Sequence, residues 1–376
     1  MKHRKALLAI IGVVAVAIVG WLIYWANVPP REKVIKIGAI LPLTGELAEF
    51  GTDERRGMDL ALREINKTGG INGKQLRIIF EDSRSDPKEA VSALQKMLTV
   101  DRPPVVFSLG SSISLALVPI VEQHGVVLVA VAATPKLSGI SPWVFRNFPS
   151  ATLQARKLAR LAREQLGIER VAILYINDDL GIGSKDAFVE FFTNAGGTVV
   201  FQDAYKKDGR DFRDLVSKVM KLKIDAVYVP GYGDALGLVV KQLREGGFKN
   251  TILSSQEFGY PRVLEVAGDA GEGVIYTDIP YAPDSNDSRV KRFVKKFREA
   301  YGRDPTLDAV LAYDEVNFVA ETIRRVGTSP EAIRDALRQL SNYAGVSGNL
   351  SVLPSGEIDF SVVLKVIRDG RSRRLS

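Results

Sequence analysis

Ser111, Ser112 and Thr134 carry the first chemical signal in this 376-residue chain. Val105, Val106 and Phe107 form an apolar run that stops at Ser108–Leu109–Gly110–Ser111–Ser112. A helical stretch to about Gln123 follows, then a second apolar run, Val126 to Val131, which stops at Ala132–Ala133–Thr134–Pro135. The pattern predicts a β-α-β unit, whose two strands run the same way and end side by side. Each end carries a small hydroxylated turn, where open α/β sheets place ligands. The free N–H groups at the start of the intervening helix add a partial positive charge, which suits a small anion such as a carboxylate. A competing reading, in which the hydroxyls only cap the helix and close the turns, uses the same residues.

Other chemistries are poorly supplied. There is no cysteine, which removes thiol catalysis, disulfides, Fe–S clusters and most structural zinc, together with the lipid-accepting Cys of a bacterial lipoprotein signal. Of the two histidines, His3 lies in the N-terminal tail and His124 just before a strand, so a His-based triad or multi-histidine metal site is not available. Asp178–Asp179 and Glu81–Asp82 follow strands, but without a second partner type they read as turn and cap residues. Gly69–Gly70–Ile71–Asn72–Gly73–Lys74–Gln75 lacks phosphate-loop spacing and precedes a strand, so it reads as a turn. Gly181–Ile182–Gly183 has Asp186 where a dinucleotide fingerprint needs glycine. The Asn-x-Ser/Thr triplets at Asn66, Asn286 and Asn349 are low-specificity glycosylation signals. No enzyme activity, metal or cofactor is expected.

The elements that must position the hydroxyls occupy a chain long enough for two domains. An uncharged run of twenty residues, Ala6 to Trp25, follows Met1–Lys2–His3–Arg4–Lys5. It predicts a membrane anchor over residues 1–30, with a cleaved signal peptide as the rival reading. Either way the remainder lies outside the cytoplasm. Beyond it, strands and helices alternate from Val34. Asp86–Pro87–Lys88–Glu89 has the residues of a helix start, an N-cap followed by a first-turn Pro. The Pro/aromatic segment Ser141–Pro149 interrupts the rhythm, which restarts from about 151 as a second α/β lobe. After Pro280 come three helical stretches, about 287–301, 306–326 and 329–340, and two short strands. These make no third α/β domain and are expected to fold back onto the first two. The expected lobes are therefore 31–149 with about 280–356, and 150–279 with about 357–376. The formal charge is +7, three of it on Lys2, Arg4 and Lys5. The rest is too diffuse to imply nucleic acid. The densest basic run, Arg289 to Arg298, alternates with Val290, Phe293, Val294 and Phe297 and reads as the wet side of an amphipathic helix.

Several motifs in joint order carry a resemblance: Ile37–Gly38–Ala39–Ile40–Leu41–Pro42–Leu43–Thr44–Gly45; Glu64–Ile65–Asn66 with Gly69–Gly70–Ile71–Asn72–Gly73; and Asp82 to Ala90. From about Val34 to about Arg368 the chain resembles the branched-chain amino-acid (Leu/Ile/Val) binding proteins, type I periplasmic binding proteins of ABC importers. The resemblance implies an α/β fold of two doubly wound lobes joined by a three-crossover hinge and closing on an amino acid, with an ABC permease as membrane partner. It also implies that Ser111 and Thr134 hold the ligand carboxylate, and that the Ala132 carbonyl and Glu257 hold its ammonium. Phe50 and Tyr232 supply aromatic walls. Ser112 adjoins the carboxylate site. Leu180 stands where the family has a Tyr, a departure that bears on side-chain selectivity. A ligand-sensing module that signals through a partner is the alternative to transport.

Overall fold

The computed structural model describes residues 34–375. The anchor or signal segment expected over residues 1–30 lies outside the described residues. Among those described, no helix is long and apolar enough to cross a membrane.

Two sheets organise the chain. The first contains β1 (Ile35–Leu41), β2 (Leu76–Asp82), β3 (Val105–Leu109), β4 (Val127–Val131) and β5 (Val144–Arg146), in the order β2-β1-β3-β4-β5. All its pairings are parallel. β3 and β4 are buried at every residue, as expected of strands with both faces covered. The second sheet is formed by β6 (Arg170–Ile176), β7 (Thr198–Tyr205), β8 (Ala226–Val229), β9 (Thr251–Ser254) and β10 (Ile275–Asp278). A small hairpin, β11 (Tyr343–Ala344) and β12 (Asn349–Leu350), stands apart. β13 (Val363–Arg368) and β14 (Arg371–Arg374) then complete the second sheet in the order β14-β13-β10-β9-β8-β6-β7. β10, β9, β8, β6 and β7 are mutually parallel, whereas β13 joins antiparallel.

The chain passes between the sheets three times. After β5 it enters the helix Ala151–Arg160, which packs on the second sheet at β10 and β13, with Ala155 and Leu158 in one apolar cluster with Val171 and Ile173. After β10 it returns to the first sheet's side. There Val290, Phe293 and Phe297 of the helix Ser288–Tyr301 join Val310 of the helix Leu307–Val326 against Leu60 of the helix Ala48–Lys67. The segment around Glu357 forms a parallel bridge to Arg146 of β5 before the chain leaves for β13. The basic run is thus the wet face of an amphipathic helix, and the tail folds back on both sheets.

One expectation needs correction, and two helix starts show how other side chains set local structure. The Pro/aromatic segment contains β5, a three-residue strand completed by the distant bridge to Glu357, which no local pattern announces. The first helix starts at Ala48. Its N-cap Leu47 has no capping side chain of its own, and the orphan Leu47 N–H donates instead to Ser85 Oγ at 3.0 Å, a tertiary cap. The helix Asp179–Asn194 starts where it does because Asp178 accepts from Gly181 N at 2.9 Å. In that helix Gly183 is required by close approach: a Cβ there would lie 2.7 Å from Pro135 Cδ, across the gap between the sheets' sides.

Candidate functional site

A cavity of about 360 Å³ lies where the C-terminal ends of parallel strands from both sheets meet, the position that open α/β folds reserve for ligands. β3 and β4 bring Ser111, Ser112, Ala132 and Ala133 to it. β6 brings Asn177, Asp178 and Leu180; β8 brings Tyr232; β9 brings Glu257 and Tyr260. Phe50, from the first helix, lines it too.

On the first sheet's side the geometry follows from one turn. Gly110, the N-cap of the helix Ser111–His124, sits at φ +105°, a conformation costly for any residue with a Cβ. The turn aims the helix start at the cavity. The first intrahelical bond runs from Ser114 N to Gly110 O at 2.9 Å, so the N–H groups of Ser112 and Ile113 precede it and are free to meet an anion. Ser111 Oγ accepts from Thr134 N at 3.2 Å, which orients its own proton elsewhere and makes it a donor. Ser111 and Thr134 therefore do converge. The Thr134 hydroxyl, however, does not reach the cavity surface. It is fully buried, accepts from Lys136 N at 3.4 Å, and closes the turn at Pro135–Leu137. The Thr134 carbonyl accepts from Arg146 Nη1 at 2.6 Å. The buried Arg146 guanidinium also pairs with Glu357, so the third crossover braces this turn. Burial lowers the Arg146 pKa to about 10, which leaves the side chain charged at neutral pH.

The second sheet's side is acidic. Glu257 is 6 % exposed, and its Oε2 has no hydrogen-bond partner among the described residues. Burial pushes its carboxyl up to about 7. Asp178 is held by Gly181 N and by the Tyr232 hydroxyl, which donates to Oδ2 at 2.7 Å. Its pKa is nonetheless raised, chiefly by burial. Phe50 packs edge-on against Tyr260 at 4.7 Å and against Tyr232 at 6.4 Å between ring centroids, forming an aromatic wall that joins the two sides. Leu180 lines the cavity as a small apolar surface. At the mouth, Lys136 Nζ meets Asp179 Oδ1 at 2.7 Å and Lys207 Nζ meets Glu46 Oε2 at 3.3 Å, each pair spanning the two sides.

Of the residues named from sequence, Phe50, Ser111, Ser112, Ala132, Leu180, Tyr232 and Glu257 line the cavity, and Thr134 stands behind it. Asp178, Tyr260 and Asp308 also line it and were not named as site residues. Asp178 is the cap it was read to be, and a wall residue as well. Asp308 lies in the first turn of a helix, where an acid reads as a dipole partner and gives no signal of a site. His124 bonds only its own helix, Nδ1 to Ile120 O at 2.9 Å. Among the described residues no cluster of His, Cys, Asp and Glu is arranged to hold a metal ion.

Comparison with known proteins agrees with this geometry. A family model described as periplasmic binding protein matches residues 34–359. The leucine-, isoleucine-, valine-, threonine- and alanine-binding protein of Pseudomonas aeruginosa is 29% identical over 355 residues, covering 93% of each chain. The Leu/Ile/Val-binding protein BraC3 of Rhizobium johnstonii is 29% identical over 338 residues, covering 89% of this chain and 91% of its own. Among solved structures, the leucine-binding protein LivK of Thermotoga maritima superposes with a TM-score of 0.85 at 27% identity, over 91% of this chain and 98% of the other. LivJ of Streptococcus pneumoniae, solved with isoleucine, gives 0.83 at 25% identity, over 91% and 100%. The resemblance read from the motifs holds along the described chain, which belongs to the periplasmic binding protein family.

Proposed function

We propose that this chain is an extracytoplasmic solute-binding protein that captures an amino acid between two closing lobes and presents it to an ABC permease. It performs no covalent chemistry. The observation that carries the reading is the pairing of opposite demands on one cavity: Ser111 and the free N–H groups of a helix start on one side, and the buried Glu257 carboxyl with an unpartnered oxygen on the other. A zwitterion answers both. Its carboxylate takes the hydroxyl and backbone donors. Its ammonium takes Glu257 and the Ala132 carbonyl, and the buried carboxylate gains the counter-charge that makes ionisation favourable.

Lobe boundaries at 31–149 with 280–356, and 150–279 with 357–376, place the three crossovers between the lobes as a hinge. The names of the relatives support an amino-acid ligand and a transport role. The uncharged run Ala6–Trp25 supports tethering to the membrane, with the binding lobes outside it. Calorimetric titration of the full chain against amino acids, amides and small organic acids tests the reading. Saturable heat with at least one free α-amino acid, lost when its amine is acylated or its carboxylate esterified, is the expected result. Binding that tolerates both blocking groups overturns it.

A further inference from the structure

Once an α-amino acid is assigned its partners, one buried polar atom on the cavity wall is left over. Glu257 takes the ammonium; Ser111 and the helix start take the carboxylate; Asp178 is already held by the Tyr232 hydroxyl and Gly181 N. Asp308 is 3 % exposed, lines the same cavity, and its Oδ2 has no hydrogen-bond partner among the described residues. Its place in the first turn of the helix Leu307–Val326 does not account for this. A first-turn acid interacts with the helix dipole equally well from the surface, where it keeps its water.

We infer that Asp308 forms a side-chain subsite that selects amino acids bearing a hydrogen-bond donor, namely a hydroxyl, an amide N–H or an ammonium group, over hydrocarbon side chains of the same shape. The inference rests on the proposed amino-acid site and specifies its ligand class. Asp308 Oδ2 is already shut off from water and unpartnered among the described residues, so a hydrocarbon side chain against the wall leaves that penalty in place, whereas a donor that reaches it through a small adjustment of the wall relieves it. Sites built around a buried polar group reject isosteres that leave it unpaired far more strongly than apolar pockets reject a change of size. The setting reinforces the choice. Asp53 and Glu257 place further negative potential on Asp308, and burial with these neighbours raises its pKa well above the ordinary carboxylate value, so a ligand donor, above all a cationic one, relieves a group that is costly to ionise. The Tyr260 hydroxyl lies against the same carboxyl and links it to the aromatic wall.

The test uses shape-matched pairs titrated against the full chain: valine with threonine, leucine with asparagine, norleucine with lysine. At least one donor-bearing member is expected to bind tenfold or more tightly than its apolar counterpart. Asp308→Leu, or Asp308→Ala if the first variant melts early, is expected to move that ratio at least tenfold toward the apolar member. A role for Asp308 in mere packing would weaken both members alike and leave the ratio where it was. If the apolar member binds as well or better in all three pairs, or the preference survives in the variant, the inference is overturned while the amino-acid site stands. If none of the six binds, the inference is overturned, while the amino-acid site is decided separately by the wider screen of free and blocked amino acids.

Discussion

Where β3 and β4 end beside the cavity, the hydroxyl and carbonyl acceptors are tied into their own turns, while the N–H groups of the helix start stay free. Ser111 Oγ accepts from Thr134 N, the Thr134 carbonyl accepts from Arg146, and Arg146 is paired with Glu357. On the second sheet's side the carboxyl of Glu257 keeps an orphan oxygen and a pKa of about 7. The first wall is a preorganised, neutral donor set whose shape is fixed by a single β-α-β unit and a glycine at positive φ. The second is a set of buried acids whose preferred protonation state depends on what faces them. The difference predicts that anion recognition is nearly independent of pH, and that cation recognition carries both most of the binding free energy and its titration.

The largest effect is expected from Glu257→Gln. Removing one partner of a buried, hydrogen-bonded charge pair costs on the order of 3–5 kcal/mol. At about 1.4 kcal/mol per decade, affinity falls roughly a hundredfold to a few thousandfold. The fold survives, because the side chain faces the cavity at the end of β9 and belongs to neither core. Isothermal titration with the best ligand, beside a thermal melt of the same sample, checks both halves. Near-equal affinity would take Glu257 out of the site and with it most of the case for an amino-acid ligand. Ser111→Ala on the opposite wall comes next. A hydrogen bond to a charged group contributes about 1.5–3 kcal/mol, so binding weakens roughly ten- to a hundredfold. The loss is the same at pH 6 and pH 8, because no titrating group has been touched.

The acidic wall responds to pH in two opposed ways. Burial raises the folded-state pKa of Glu257 from 4.5 to about 7. In protein without ligand, its contribution to stability is therefore fully present below about pH 4.5 and is lost as pH rises through 7, a decline of about 3 kcal/mol in order of magnitude. Ligand binding runs the other way, since the ammonium meets the ionised form. Affinity should rise about fivefold from pH 6 to pH 7, reach about tenfold by pH 8, and flatten above. Asp178, Asp278 and Asp308 all act on Glu257, and each disfavours its ionisation. Melting curves with and without ligand between pH 5 and 8.5, repeated on Glu257→Gln, isolate the term. Parallel curves for parent and variant would place the titration elsewhere.

The same contrast explains what was legible in the sequence. The first wall was readable because its parts lie within 30 residues of one another: two buried apolar runs, a helix between them, and small hydroxylated turns at neighbouring strand ends. Even there the Thr134 hydroxyl was placed on the cavity, when its bond to Lys136 N turns it inward. Glu257, Tyr232 and Phe50 came from the resemblance and not from local pattern, since each arrives on a different element. Asp178 and Asp308 were invisible for a physical reason. An acid at a helix start is ordinary whether it faces water or a cavity, and only the packing of segments distant in sequence decides which. β5 escaped for the same cause, its neighbour on one flank being the bridge at Glu357.

The smallest effect is expected where the two walls meet at the surface. Lys136 Nζ and Asp179 Oδ1 are 2.7 Å apart and span the cleft, but their side chains are 57% and 28% exposed. An exposed pair of this kind gains little Coulomb energy in high dielectric and orders two side chains to do so, leaving about 0–1 kcal/mol. On the proposed closing of the two lobes, the pair forms only when the two sides are together, so what it contributes goes to the closed state. Lys136→Ala should therefore weaken ligand binding less than about fivefold, chiefly through faster release, with no shift in the pH profile set by Glu257. Salt should erase most of the difference, since the Debye length is only about 3 Å at 1 M. Stopped-flow dissociation rates for parent and variant, at low and at high ionic strength, decide the point. A fifty-fold loss that persists in high salt would mean that the rim, and not the buried acid opposite the helix start, holds the ligand in place.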